Sequence, residues 1–334
     1  MEYSTERFPT EEEYVARMYT GALLNPRIDS TFKALFSQPT PESRGALKSF
    51  LEAATERKIE SFEFAANDAP EEFLGQRRVS YDILCLFADG EAADIEMQAF
   101  NQKYDYGKRA EYQVARLETT YLKKGDRWQK APTVYQITVL DFVYTKIDKV
   151  NQETQKPVSR YSMRTKDGRE LSNALNIVFI ELPKVARLEK SLDTNSLLEN
   201  WALFLKDADN PKKNSLIKEL TTKEAGLMQA QQSLSNISAN QSLWIKQYRE
   251  EIAERDYLSS MEASIEEGFS KGLAHGIQQG LQQGIQQGLQ QGLLQGKYDA
   301  AKNFLNMGLL PEQVAKGCGL SVEEVMQLIK EKEK

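Results

Sequence analysis

Two short segments, Arg78-Val-Ser-Tyr-Asp82-Ile-Leu-Cys-Leu86 and Asp94-Ile-Glu96-Met-Gln98, place acidic side chains on what otherwise read as apolar β-strands. A carboxylate in dry surroundings is costly unless a cation or hydrogen-bond donors compensate it, so facing strands that both carry acids predict a metal-binding cleft. Strand alternation sends Asp94, Glu96 and Gln98 to one face and Ile95, Met97 and Ala99 to the other. With Asp89-Gly90-Glu91 as the connecting loop, Ala88 pairs with Ala92, and the same register sets Asp82 opposite Gln98 with Glu96 one diagonal step away. Such neighbours have Cβ atoms roughly 5 to 8 Å apart, near enough for two carboxylates to share one small hard cation.

Elimination supports the same chemistry. His275 is the only histidine, and Cys85 and Cys318 are the only cysteines, one in an apolar strand and the other in a distant tail. Histidine zinc sites, a Ser-His-Asp triad, a Cys-His pair, a cysteine zinc site and a disulfide framework are all excluded, which leaves carboxylates as hard-metal ligands. The N-terminal residues lack a basic region followed by an apolar stretch, and no run approaches a membrane span, so a soluble, cytoplasmic protein is expected.

The net charge of −6 argues against general polyanion binding, so any nucleic-acid contact needs a local patch. Residues 101–130 offer one: Lys103, Lys108, Arg109, Arg116, Lys123, Lys124, Arg127 and Lys130 against Asp105, Glu111, Glu118 and Asp126, a local balance of +4.

Residues 1–25 read as a polar arm. Asp29 is placed to cap a short helix through Phe36, and a longer helix is expected over about 41–57. Strand-like stretches follow at Lys58–Phe64, Arg78–Ala88 and Ala92–Phe100. From Tyr104 to Lys124 the residues Tyr106, Ala110, Val114, Leu117 and Tyr121 recur at helical spacing as one buried stripe, with Arg109, Arg116 and Lys123 on a separate line beside it. Val134–Phe142 and Leu175–Leu182 are rich in β-branched and aromatic residues and read as further strands. From Lys184 onward the pattern is helical, with units at Leu192–Lys206 and Glu224–Tyr257.

Glycine recurs at 268, 272, 276, 280, 284, 288, 292 and 296, each of the first seven followed by Phe, Leu or Ile. On an α-helix a four-residue repeat drifts by roughly 40° per repeat, so these lines spiral around the helix. Each interior glycine costs about 1 kcal/mol against alanine, and the array reads either as a self-associating helix or as a flexible spacer. The tail 298–334 has a helix-turn-helix outline, with Ser321-Val-Glu-Glu324 at capping-box spacing, but residues 311–334 balance to −1, which favours protein contact over DNA. Gly292–Tyr298 falls one residue short of a phosphate loop and is rejected as one.

Asp29-Ser-Thr-Phe-Lys-Ala-Leu-Phe36, Asp82 in a strand, Asp94-Ile-Glu96-Met-Gln98 and Arg109 in the next helix together resemble the recombination-promoting nuclease and transposase family of the PD-(D/E)XK nuclease superfamily. Phe179-Ile-Glu-Leu-Pro-Lys184, Asn200-Trp201 and the glycine array extend the resemblance over nearly the whole chain from residue 26. It implies an α/β fold with a restriction-endonuclease-like αβββαβ core and a helical C-terminal region, and magnesium-dependent cleavage of DNA in recombination or mobile-element processing. The superfamily has lysine two residues after the glutamate; here Gln98 stands there, as it commonly does in this family. Lysine brings charge to the water and the phosphate, whereas glutamine only orients them.

The expected organisation is an N-terminal arm (1–25), a PD-(D/E)XK-like nuclease core (26–185), a helical extension (186–262), the glycine repeat (263–297) and a small helical tail (298–334). In the expected site Asp82 and Glu96, with the backbone carbonyl of Met97, hold Mg2+, for which Mn2+ substitutes, while Gln98 positions the water. Asp29 binds a second ion or a metal-bound water. Lys33, Arg109, Arg116 and Lys123 contact DNA phosphates without reading bases. Plainer roles stand beside these: Asp29 as a helix cap, Lys33 as a solvated helix residue, Asp94 as a surface residue at the strand edge or a support behind the ligands. A homo-oligomer through the C-terminal helices is expected. The alternatives are a catalytically weak DNA-binding or assembly protein that retains the nuclease fold, and RNA cleavage, since the phosphodiester chemistry hardly distinguishes the sugars.

Overall fold

A computed structural model describes residues 9–69, 76–100, 105–122, 124–145 and 155–332, which fall into two compact units, Met1–Arg255 and Asp256–Lys334. The first unit runs α1 (Glu11–Tyr19), α2 (Asp29–Ser37), α3 (Pro41–Thr55), β1 (Phe62–Phe64), β2 (Ile83–Phe87), β3 (Ala92–Gln98), α4 (Tyr106–Tyr121), β4 (Val134–Leu140), β5 (Val158–Ser162), β6 (Leu175–Glu181), α5 (Leu197–Asp207), α6 (Asn214–Lys223) and α7 (Ala225–Ser238). Helix α8 (Gln241–Asn306) begins in it. The strands form one six-stranded sheet in the order β1-β2-β3-β4-β6-β5. The αβββαβ order expected from the sequence is the order observed.

Strands β1, β2 and β3 form an antiparallel meander, and β4 pairs parallel to β3. A parallel pair needs a crossover, which α4 provides. One face of the sheet is dry: Ala93, Ile95 and Met97 of β3, Ile137 and Val139 of β4, and Val178 and Ile180 of β6 share a core with α2, α3, α5 and α7. Trp201 of α5 stands within that core, its ring 5.8 Å from Phe36, 5.3 Å from Phe50 and 5.9 Å from Phe204. Each such aromatic pair adds about 0.5–1.5 kcal/mol beyond its burial. Against the other face α4 lays Val114 and Leu117 on Leu84, Ala92 and Val134, and Tyr106 and Ala110 on Leu140 and Phe179.

Several local readings change. The stretch read as a polar arm contains α1, started by a capping box in which the Thr10 N–H donates to Glu13 (2.7 Å) and the Glu13 N–H donates to Thr10 (3.2 Å). Tyr14 anchors it on Trp244 and Tyr248. β5 was not foreseen: Val-Ser-Arg-Tyr-Ser is short, polar and partly exposed, as an edge strand allows. The helical unit read over Glu224–Tyr257 is two helices, broken where the Asn240 side chain accepts from the Ser242 N–H (3.0 Å). Asp29 does not cap α2. Ile28 holds the N-cap without a side-chain bond, and the Ser30 N–H donates instead to Glu250 of α8 (3.1 Å).

In the second unit the glycine array lies within helical residues of α8, and a Cβ added at any glycine from Gly268 to Gly296 meets nothing within 4 Å. Phe269, Leu273, Ile277, Leu281, Ile285, Leu289 and Leu293 are exposed in the single chain. Beyond them α9 (Pro311–Cys318) and α10 (Val322–Lys332) close Val314, Ala315 and Val325 over Ala301. The expected capping box at Ser321 is present: its N–H donates to Glu324 (2.7 Å) and its hydroxyl accepts from the Glu324 N–H (3.2 Å). Among the described residues no helix is long and apolar enough to cross a membrane.

Candidate active site

The β2–β3 register is two residues tighter than the sequence reading: Leu86 pairs with Ala92, Leu84 with Asp94 and Ile83 with Ile95. Gly90 adopts φ +89°, and the Phe87 N–H donates to the Glu91 carbonyl (2.8 Å), so the loop is Ala88-Asp89-Gly90 rather than Asp89-Gly90-Glu91. A three-residue hairpin wants its left-handed residue last, which fixes Gly90 there. An even shift keeps every side chain on its face. Continued by one residue, this register sets Asp82 across from Glu96 instead of Gln98. Asp82 itself lies in the bend just before β2 rather than within the strand.

At that point the ladder opens. The Tyr81 N–H, which a longer β2 would direct at Met97, donates to the Asn67 carbonyl (2.7 Å). The Met97 N–H is taken by the Asp82 carboxylate. Within a strand a residue's N–H and carbonyl point to the same side, so the Met97 carbonyl faces this corner as well.

Glu96 is buried under α4, which turns three side chains toward it at positions i, i+3 and i+7. The Tyr106 hydroxyl donates to Oε2 (2.9 Å), the Gln113 amide donates to Oε1, and the Arg109 guanidinium lies 3.5 Å from Oε2. Arg109 also rests over the Tyr106 ring, 5.6 Å from its centroid. The Gln98 amide donates more weakly to Glu96 Oε2 (3.4 Å). From the opposite side α2 brings Lys33, whose ammonium bridges Asp29 Oδ2 and Asp82 Oδ1, both at 2.9 Å.

Burial raises the carboxyl of Asp82 above its ordinary range, opposed by Lys33 and assisted by the charge of Asp29. Burial likewise raises Glu96, with Arg109 pulling it down and Asp82 pushing it up. Burial would lower Lys33, but its bonds to Asp29 and Asp82 leave it raised. By formal count the corner sets three carboxylates, Asp29, Asp82 and Glu96, against two cations, Lys33 and Arg109.

Of the two roles read for Asp94 the surface one falls. It is wholly buried, because α4 covers the face it shares with Glu96. Gln136 of β4, its register partner, donates to Asp94 Oδ2 (2.8 Å), and burial followed by the charge of Glu96 raises its carboxyl well above the usual range. Arg116, expected at a phosphate, is 9% exposed. Lys123 lies outside the described residues.

Sequence reasoning passed over Gln113, Gln136 and Thr138, the register partner of Glu96 on β4 whose hydroxyl lies 3.4 Å from that of Tyr106, and took Tyr106 as core alone. Gln113 could have been found, since it sits midway on the Arg109–Arg116 line at helical spacing. The first turn of α4 is held from behind. The Tyr144 hydroxyl fills the space a Cβ at Gly107 would need, and the Tyr144 and Thr145 N–H groups donate to buried Glu181 (2.8 and 3.0 Å). Glu181 is in turn paired with buried Lys184 at 2.8 Å.

Among the described residues no group of three or more His, Cys, Asp and Glu side chains is arranged to hold a metal. What the corner offers is two carboxylates, Asp82 and Glu96, with a strand carbonyl. An oxygen-only set with surplus negative charge fits a small hard dication and no softer metal.

A sequence model of the family described as PD-(D/E)XK nuclease family transposase matches residues 26–264. No curated protein matches the chain, and no solved structure matches it.

Proposed function

Since the chain belongs to the PD-(D/E)XK nuclease family of transposases, we propose that it is a divalent-metal-dependent DNA endonuclease acting in recombination or mobile-element processing. The observation that carries the proposal is the nearness of Asp82 to Glu96, whose carboxyl its charge pushes up, where β2 parts from β3, with Lys33, Gln98 and Arg109 around them.

Asp82 and Glu96 would hold Mg2+ or Mn2+ together with the Met97 carbonyl, and Asp29 would hold a second ion or a nearby water. When bound, the ion supplies Lewis-acid stabilisation of the phosphate charge and acidifies the attacking water. Tyr106 and Gln113 fix both oxygens of Glu96, so this ligand is preorganised. Gln98 orients the water through its carboxamide. Lys33, on leaving Asp82, and Arg109, at the edge of α4, meet the phosphate and position the strand without reading bases. Self-association of the exposed apolar and glycine lines of α8 would bring two such sites to one DNA target.

A DNA-binding assembly protein with weak catalysis is the second reading, favoured by Gln98 standing where the superfamily has lysine. Plasmid nicking with added magnesium or manganese decides. Nicking by the parent chain that disappears in Glu96→Gln and Asp82→Asn, with unchanged circular dichroism, supports the enzyme. Equal metal-dependent nicking by Glu96→Gln refutes it, and metal-independent DNA retention without nicking favours the second reading.

A further inference from the structure

Of the tryptophans, Trp201 and Trp244 are 0% and 1% exposed, but Trp128 is 82% exposed. It is not on a loose tether. The turn that presents it is closed by the Lys130 N–H on the Arg127 carbonyl (2.8 Å) and the Ala131 N–H on the Trp128 carbonyl (3.1 Å). The turn is fixed at its backbone, and it leaves a whole indole face open to a flat aromatic partner.

Its surroundings narrow the choice. Lys124, Arg127 and Lys130 are exposed on the same short segment, against one exposed acid, Asp126, and among the described residues no salt bridge engages any of the three cations. A bare indole on a segment of net positive charge, in a protein of net charge −6, complements a stacked base flanked by phosphates rather than an apolar helix. Bases inside a duplex keep their faces covered, so a free face means an unpaired strand.

Trp128 stands away from the corner where cleavage is proposed. It precedes β4, at its N-terminal end, whereas Glu96 and Gln98 lie toward the C-terminal end of the parallel neighbour β3. β4 alone is seven residues, about 20 Å at 3.3 Å per residue, so a strand bound at Trp128 would be a flank and not the scissile step.

We propose that Trp128, with Lys124, Arg127 and Lys130, is a stacking site for single-stranded DNA. Resting on the nuclease reading, it would hold an unpaired strand flanking the duplex at the cleavage corner. The site sets a substrate preference for DNA with a single-stranded branch or end.

The test needs no cleavage. The full-length protein is titrated in EDTA with an oligothymidylate of about ten nucleotides, within the usual span of one such groove. Tryptophan emission is quenched at the exposed indole, since the other two are shielded. In anisotropy with the labelled oligomer, Trp128→Ala weakens binding about tenfold, as loss of one base–aromatic stack should, while Trp128→Phe stays within about threefold. Replacing Lys124, Arg127 and Lys130 by Gln flattens the salt dependence by about two in log–log slope, for about three phosphate contacts released. Unaltered emission at saturation, or Trp128→Ala binding as tightly as the parent, overturns the proposal. So does an emission that follows protein concentration and ignores the oligomer, which would mark a contact between copies. Quenching without nicking would leave this site standing while the endonuclease reading fell, and nicking without quenching the reverse.

Discussion

Replacing Lys184 by methionine keeps the length of the side chain but strips the cation from Glu181, and both residues are buried. Breaking a buried pair from one side costs about 3–5 kcal/mol, because the remaining charge has no water to return to. Glu181 retains two backbone donors, from Tyr144 at 2.8 Å and Thr145 at 3.0 Å, so the low end, about 3 kcal/mol, is expected. Glu181→Met is worse, about 5 kcal/mol, since it strands the ammonium and both N–H groups. The double variant has no stranded charge and loses only the backbone bonds, about 3 kcal/mol, far less than the two single costs together. Urea unfolding read by the fluorescence of buried Trp201 and Trp244 measures all three. Lys184→Met within about 0.5 kcal/mol of the parent, the range of a surface change, would refute the reasoning, and so would additivity in the double variant.

Tyr106→Phe removes the hydroxyl that donates to Glu96, a bond that lowers the Glu96 carboxyl, so the acid limb of metal-dependent nicking moves to higher pH; an unmoved limb counts against the role. Glu254 is pushed up to about 7 by burial and the charges of Asp141 and Glu251. Folded chains therefore keep a proton that unfolded chains lose, and stability present below about pH 4.5 is lost as pH rises through about 7. Partial exposure discounts the loss to about 1–2 kcal/mol. Glu254→Gln should flatten urea midpoints across that range; an unchanged pH slope rejects the assignment. Changing Gly276, Gly280 and Gly284 to alanine stabilises an isolated helix by about 1 kcal/mol per site, yet should dissolve any assembly that uses glycine for close approach. Sedimentation before and after the change reads the outcome; an undiminished oligomer excludes glycine packing as its basis.

The acidic hairpin, the helix that follows it and the αβββαβ succession of elements were legible because alternation and helical spacing are local properties of the sequence. Period two alone put Glu96 and Gln98 on one face, and it survived a misplaced turn because the register error was even. The error itself came from counting Gly90 as the middle of its loop. Asp94 was lost because its burial depends on β4 and α4 covering β3, which pairing between distant segments decides. Gln136 and Thr138 were lost the same way. Arg116 shared a helical line with Arg109, yet that line passes from the edge of the sheet at Arg109 to the covered Tyr81 region at Arg116. Gln113, polar and buried on that line, was hidden by looking only for an apolar stripe.

Lys33 gives the acidic corner a resident counter-charge, so Asp29 and Asp82 can be brought together during folding before any ion arrives. If the proposed ion binds here, folding and ion uptake would thereby be uncoupled. A dication entering at Asp82 would have to evict an ammonium group, and its affinity would be the difference between two attractions rather than the whole of one. Residue 33 would then act as a rheostat for ion occupancy: a weaker cation there would favour loading, and a neutral side chain would make folding itself depend on the ion supply.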